Sequence, residues 1–216
     1  MSVIAAVLGS PVSHSLSPAI HRAAFEAAAR AGDYSAIECQ SGTLKAALLS
    51  LRDGGAVGAS VTMPFKEDVI AHLSSLSETA KELNAVNCVV FAKGEIVGHN
   101  TDGDGCCDAL AEQGRVELRG ASVVLLGGGG TARAIALSLL LHGAHVTVVN
   151  RTIEKADSMV VSLSSYGRIK VGSVADIAEA RVLINATSVG MNSTESPVDV
   201  SVLHSDLIVL DAVYSP

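Results

Sequence analysis

Residues 123–126 form an uninterrupted apolar run, Val-Val-Leu-Leu, and the next four residues, Gly127, Gly128, Gly129 and Gly130, are all glycine. An apolar run this short, bounded by glycine, reads as a buried strand. Residues 133–141, rich in Ala, Leu and Ile, read as the helix that follows. A strand that empties through glycine directly into a helix is the first half of a βαβ unit, which commits the chain to a parallel sheet. The second half of the sequence keeps that rhythm, with further strands expected at 146–150, 169–171, 182–186 and 207–213. The first half alternates too. A strand at 3–8 leads to a helix that Ser17 caps and Pro18 opens, running to about Arg30. A strand at 34–39, a helix from Thr43 to about Arg52 and a strand at 57–62 follow. Pro64 is expected to open another helix. Residues 86–92 and 96–99 read as a hairpin about Lys93-Gly94, and a helix at about 102–113 is closed by Gly114. The expected fold is therefore α/β. An N-terminal α/β domain occupies residues 1–101, and a Rossmann-like doubly wound parallel-sheet domain occupies residues 102–216.

Composition narrows the partners. Only 3% of residues are aromatic and there is no Trp, so Val, Leu, Ile and Ala must fill the core. A net charge of −7 argues against a nucleic-acid binder, which would show a basic face. Any anion must then be met by local cations. The four cysteines, Cys39, Cys88, Cys106 and Cys107, form no C-x-x-C pair, which is neither a metal pattern nor a disulfide framework. A reducing cytoplasm is the expected location, with no metal. The uncharged N-terminal stretch lacks a basic n-region and is broken by Pro11 and Pro18, so it fails as a signal peptide. The uncharged stretch at 134–150 is interrupted by His142, Gly143 and His145 and is not a membrane span.

The glycine run predicts a dinucleotide site. Glycine lets the backbone approach a pyrophosphate, and the N-terminus of the following helix supplies free N–H donors and positive potential. Thr131, Ala132 and Arg133 complete the loop, with Ala132 in the place of the third glycine of the usual fingerprint, an accepted substitute. An NAD site carries an acidic residue about 20 positions on, at the end of the next strand. Here that strand ends in Asn150, Arg151 and Thr152. An Arg suits a 2′-phosphate, with which it pairs bidentately, so the expected cofactor is NADP.

The N-terminal half holds a second set of polar residues. Ser15 and Ser17 are two hydroxyls beside a helix start, a suitable cradle for a carboxylate; equally, Ser17 could serve only as the helix cap. Lys66 follows Ser60-Val61-Thr62-Met63-Pro64-Phe65, and a lone Lys there is ordinarily a solvated charge. Asp102 closes Asn100-Thr101-Asp102-Gly103 and would also be favoured simply by a helix dipole. Taken in order along the chain, these segments resemble the shikimate dehydrogenase family. The matching residues are Gly9-Ser10-Pro11, Ser15 to Pro18 with His21, Val61 to Lys66, Ala85-Val86-Asn87, Asn100 to Gly103, the glycine loop with Arg133, Asn150-Arg151-Thr152, Asn185 to Met191, and Asp211 with Tyr214 and Pro216.

The resemblance implies NADP-dependent, reversible reduction of 3-dehydroshikimate to shikimate, in aromatic amino acid and chorismate biosynthesis. It implies that Ser15 and Ser17 hold the substrate carboxylate. Thr62, Asn87 and Asp102 would bind ring hydroxyls, Lys66 would pair with Asp102 at the reacting oxygen, and Tyr214 would line the same site. Thr187, Ser188 and Met191 would face the nicotinamide. A quinate or aminoshikimate dehydrogenase of the same superfamily is the nearest alternative, and a non-catalytic NADPH-binding fragment is another. Family members often carry Asn where Ser60 stands. They also continue beyond the last residue here, through a Gly-Met-Leu segment and a helical portion, so the resemblance implies a C-terminally shortened chain with reduced turnover. Whether two copies pair as a homodimer is left open.

Overall fold

The computed structural model describes residues 2–40, 42–191 and 193–213, arranged as two compact units, Met1–Thr101 and Asp102–Pro216. In the first unit the strands are β1 (Val3–Gly9), β2 (Gly32–Glu38), β3 (Gly58–Val61), β4 (Ser75–Leu76), β5 (Cys88–Ala92) and β6 (Glu95–His99), and the helices are α1 (Ser17–Ala27), α2 (Leu44–Asp53) and α3 (Glu78–Leu83). The sheet order is β2-β1-β3-β5-β6-β4. β2, β1 and β3 run parallel, β5 is antiparallel to both β3 and β6, and β4 is parallel to β6. Leu8, Leu44, Leu48, Phe65, Val69 and Val86 are buried together in its core. By contrast, none of the 11 residues of α1 is fully buried.

The second unit contains α4 (Asp102–Glu112), β7 (Ser122–Leu126), α5 (Gly130–Leu141), β8 (His145–Val149), α6 (Ile153–Leu163), β9 (Ile169–Val171), β10 (Val182–Asn185) and β11 (Ile208–Asp211). Its five strands are all parallel, in the order β11-β10-β7-β8-β9. The chain winds outward from β7 through β8 to β9, then returns to lay β10 on the other side of β7. That reversal puts a topological switch point at the C-terminal ends of β7 and β10, where doubly wound sheets bind their ligands. α5 is apolar around most of its circumference, and its residues Ala132, Ala134, Ile135, Ala136, Leu137, Leu139 and Leu140 are all buried. This explains why it lacks the polar stripe of a surface helix. Among the described residues no helix is long and apolar enough to cross a membrane.

Several sequence-based expectations are corrected. Leu16, not Ser17, is the N-cap of α1; the Ser15 hydroxyl accepts the Ser17 N–H at 3.2 Å. α1 ends at Ala27, not near Arg30, because Ala29 adopts a left-handed φ of 50° that breaks the helical path. Thr43 stands at the N-cap of α2, but its hydroxyl bonds the backbone of Gln40 instead of the helix. Pro64 opens no α-helix. A turn follows it, and then a short 3₁₀ segment, Asp68–His72. α5 begins at Gly130, three residues before the expected start, so the last glycine of the run opens the helix and Gly129 is its N-cap. Among the described residues, α3, α6, the two-residue β4 and the short 3₁₀ segments Ser164–Tyr166, Val174–Glu179 and Val200–Val202 are additional to the elements expected from the sequence.

Candidate active site

In the first unit, register brings the polar segments to one edge of the sheet. Gly9 pairs with Glu38, Leu8 with Val61, Ser60 with Cys88 and Cys88 with His99. The loop after β1, the exit of β3, the entry to β5 and the exit of β6 therefore lie side by side. On the first of these, Ser15 Oγ donates to Ser17 Oγ at 3.1 Å while accepting the Ser17 N–H. Ser17 accepts within the pair, so its own proton remains available for an acceptor such as a carboxylate. Thr62 continues the β1–β3 pairing through its N–H to the Leu8 carbonyl at 2.9 Å. Its methyl lies where a side chain on Gly9 would sit, since a Cβ there would come within 2.5 Å of Thr62 Cγ2. Lys66 is half-buried in the turn that follows, and its carbonyl accepts the Val86 N–H at 2.8 Å.

Asn87 is fixed from both directions. Its carbonyl accepts the Val61 N–H at 2.8 Å and its N–H donates to the His99 carbonyl at 3.1 Å. Its side chain is gripped by Thr101, whose N–H donates to Asn87 Oδ1 at 2.9 Å and whose hydroxyl accepts from Asn87 Nδ2 at 3.1 Å. Thr101 stands in the Asn100-Thr101-Asp102-Gly103 segment with no role legible in the sequence; its proximity to Asn87 depends on hairpin register, which local spacing does not reveal. Asn100, buried, donates to the Ala85 carbonyl at 3.1 Å. Asp102 is half-buried in the first turn of α4. Tyr34, buried beneath this edge, donates its hydroxyl to Ser60 at 2.7 Å, and His21 stacks on its ring at 4.1 Å. Tyr214 lies outside the described residues.

In the second unit, the four glycines divide in two. Gly127 has φ of +128°, and a Cβ there would meet the Ala186 carbonyl oxygen at 2.8 Å. At Gly128 a Cβ would crowd Asn150 and Lys155 at 3.0–3.1 Å. The first two glycines therefore permit the close approach of the loop to the segments that follow β10 and β8. Gly129 and Gly130 are exposed, and a Cβ on either would meet nothing within 4 Å. Open backbone at the start of a 12-residue helix fits a pyrophosphate. Asn150 Nδ2 donates to the Thr152 carbonyl at 2.8 Å, which fixes the turn carrying the exposed Arg151. Thr131 and Arg133 are half-buried and Ala132 is buried in the first turns of α5.

The loop after β10 is braced by its own polar residues. Thr187 donates its hydroxyl to Asn185 Oδ1 at 2.7 Å and accepts the Val189 N–H at 3.1 Å. Asn185 Nδ2 reaches Asp211 Oδ1 at 2.9 Å, and the same oxygen accepts the Val213 N–H. Ser188 and Met191 are exposed, joined by a backbone bond of 3.1 Å. The bracing by Asn185 and Asp211 went unassigned in the sequence. Its signal is a polar residue closing an otherwise apolar strand. The four cysteines are all free thiols. Burial pushes Cys106 up to about 12, with its neighbour Cys107 adding to the shift. It stays protonated at neutral pH and is a poor nucleophile.

A five-stranded parallel unit with a glycine loop at its switch point, in one chain with a smaller α/β unit edged by hydroxyls, an amide and a Lys, defines a two-unit nicotinamide-dependent dehydrogenase. The model of the shikimate dehydrogenase substrate binding domain matches residues 7–89, and that of shikimate / quinate 5-dehydrogenase matches residues 109–200. The chain belongs to the shikimate dehydrogenase family. It is 44% identical over 213 residues to the NADP(+) shikimate dehydrogenase of Thermococcus kodakarensis, covering 97% of this chain and 76% of that one. Among solved structures it superposes with a TM-score of 0.88 on shikimate 5-dehydrogenase from Thermus thermophilus in complex with NADP(H) and shikimate, at 35% identity, covering 99% of this chain and 80% of that one. Quinate dehydrogenase from Corynebacterium glutamicum in complex with NAD gives a TM-score of 0.84 at 30% identity, covering 99% and 80%.

Proposed function

We propose that the chain is an NADP-dependent shikimate dehydrogenase that interconverts 3-dehydroshikimate and shikimate. The observation that carries this reading is the gathering of Ser15, Ser17, Thr62 and Asn87 at one sheet edge in a chain that is 44% identical to a shikimate dehydrogenase. The first unit is the substrate unit and the second the cofactor unit. The Ser15/Ser17 pair receives the carboxylate, and Thr62 and Asn87 bind ring hydroxyls. Lys66 and Asp102 act at the reacting oxygen, supplying or removing its proton and stabilising the charge that develops there. The backbone of Gly129 and Gly130 receives the pyrophosphate, Arg151 the 2′-phosphate, and the loop from Thr187 to Met191 the nicotinamide end. The bound cofactor supplies or accepts the hydride.

The direct test is shikimate-dependent reduction of NADP, followed by the absorbance of the reduced nicotinamide. Turnover that requires both reactants is expected; turnover with neither shikimate nor quinate would overturn the reading. Quinate oxidation is the second reading, favoured by the solved quinate dehydrogenase that shares the fold. A higher kcat/KM for quinate than for shikimate would select it.

A further inference from the structure

We propose that Glu38 is a positioning residue for the Ser15/Ser17 pair, holding the loop that carries both hydroxyls; this rests on the reading of that pair as the carboxylate cradle. The loop between β1 and α1 leaves the sheet at Gly9, opposite Glu38 at the end of β2. It is tied down on two sides. Toward β3, the Ser10 N–H donates to the Met63 carbonyl at 3.0 Å. Toward β2, the Val12 N–H donates to Glu38 Oε2 at 2.9 Å. The Val12 side chain is buried against Val7 and Tyr34, so its peptide has little freedom to move.

From Val12 a short chain of bonds leads to the cradle. The Val12 carbonyl accepts the Ser15 N–H at 3.0 Å. Ser15 Oγ then accepts the Ser17 N–H and donates to Ser17 Oγ. The peptide group containing the Val12 N–H is thus held by a carboxylate, and the next carbonyl along the chain holds Ser15. The Ser10 side chain and the Val12 N–H both favour the charged carboxylate and hold Glu38 below the usual carboxylate range. Hydrogen bonds to an ionised acceptor are the stronger kind. An anion beside a site for another anion is a poor choice on charge alone. Its two loop contacts account for its place: Glu38 acts through the backbone of the loop, and the hydroxyls meet the ligand.

The experiment compares wild type, Glu38→Ala and Glu38→Gln in the full chain. Steady-state kinetics are measured with shikimate and with its carboxamide, together with dissociation constants for shikimate and NADP. Glu38→Ala is expected to raise the KM and dissociation constant for shikimate about tenfold, the scale of one lost charge-assisted hydrogen bond, with kcat and NADP affinity within about twofold of wild type. The preference for shikimate over the carboxamide should shrink in parallel, a change that general loosening of the fold would not produce. Glu38→Gln keeps an acceptor for the Val12 N–H and should recover most of the affinity. Hydrogen exchange at the Val12 amide should quicken in Glu38→Ala and not in Glu38→Gln. Ser15→Ala and Ser17→Ala separate the two ideas. If both leave shikimate affinity unchanged, the cradle reading falls and the role of Glu38 with it. If they weaken it while Glu38→Ala does not, or if the carboxamide preference survives Glu38→Ala, the role of Glu38 alone is overturned.

Discussion

In the second unit the open surface at the glycine loop is main chain. Gly129 and Gly130 present bare peptide at the start of α5, and the nearby Asn150 amide is turned onto the Thr152 carbonyl. In the first unit the corresponding surface is side chain: the Ser15/Ser17 pair, Thr62 with Lys66 in the segment after β3, and Asn87 come from three segments whose strands are brought together by sheet register. The difference shows in how each site tolerates change. A backbone site is written in a few consecutive residues whose shared requirement is the absence of a side chain. A side-chain site is written across the whole unit, and each member can be removed without disturbing the strands that carry it. Backbone damage should therefore strike cofactor binding, and the fold with it only where the glycine is sterically required, as at Gly127; side-chain damage should strike substrate chemistry alone.

The largest expected effect tests that separation. Lys66→Ala should lower kcat by about 10²–10⁴-fold, the span attributed to general acid–base assistance. Its NADP dissociation constant should stay within about twofold of wild type. Parallel losses in NADP affinity and kcat would break the division between the units.

Next come two glycines of the same loop. At Gly127, any substitution faces both a left-handed φ and the Ala186 carbonyl at 2.8 Å. Gly127→Ala should cost at least about 1–3 kcal/mol of stability from backbone strain alone. At Gly129, φ is −95° in extended backbone and the space is open, so Gly129→Ala should melt near the wild-type temperature. It should nonetheless weaken NADP binding about tenfold or more, because its methyl group enters the space the pyrophosphate needs. Thermal melts and NADP titrations of both variants decide it. Normal NADP affinity in Gly129→Ala would move the pyrophosphate elsewhere.

The same contrast explains what could be read from the sequence. The strand at 123–126 and the helix entered through the glycines are legible because their physics is local. So is the hairpin about Lys93-Gly94, whose two residues take φ of 53° and 83°. Glu38 and Thr101 are not, because their partners Val12 and Asn87 lie 26 and 14 positions away. Ser17 was misassigned as the helix cap for a subtler reason. Two serines near a helix start look alike in sequence, and only the backbone path decides which hydroxyl accepts. Pro64 suits a helix start by sequence, yet a proline after a strand suits a turn equally well, and the turn is what forms.

Cofactor choice tests a side chain proposed to work beside the backbone site. Arg151→Asp should narrow or reverse the preference for NADP over NAD, each lost phosphate contact being worth about 1.5–3 kcal/mol. Titration with both cofactors measures the ratio. An unchanged ratio would remove Arg151 as the discriminator and leave the glycine loop to act without it.

The smallest effect lies beneath the first unit's edge. Tyr34 is 2% exposed and its hydroxyl donates to Ser60, two residues before Thr62. Tyr34→Phe keeps the buried ring and the stacking surface for His21 but removes that bond, at a cost of about 1 kcal/mol. NADP affinity should not change, because the bond joins β2 to β3 within the substrate unit. The pH dependence adds a second reading of the same hydroxyl. Burial raises the Tyr34 pKa, opposed by its bond to Ser60. In the unfolded chain the phenol ionises near its ordinary value of 10.0. In the folded chain it holds its proton to higher pH, so above that value the unfolded state binds fewer protons than the folded one and stability falls as pH rises. Tyr34→Phe carries no such group. Its stability, lower than wild type at neutral pH, should decline less steeply above about pH 10, the ordinary phenol value, so the two curves converge. Chemical denaturation across the alkaline range measures the gap, and a gap that stays constant there would show that the buried hydroxyl contributes only its hydrogen bond.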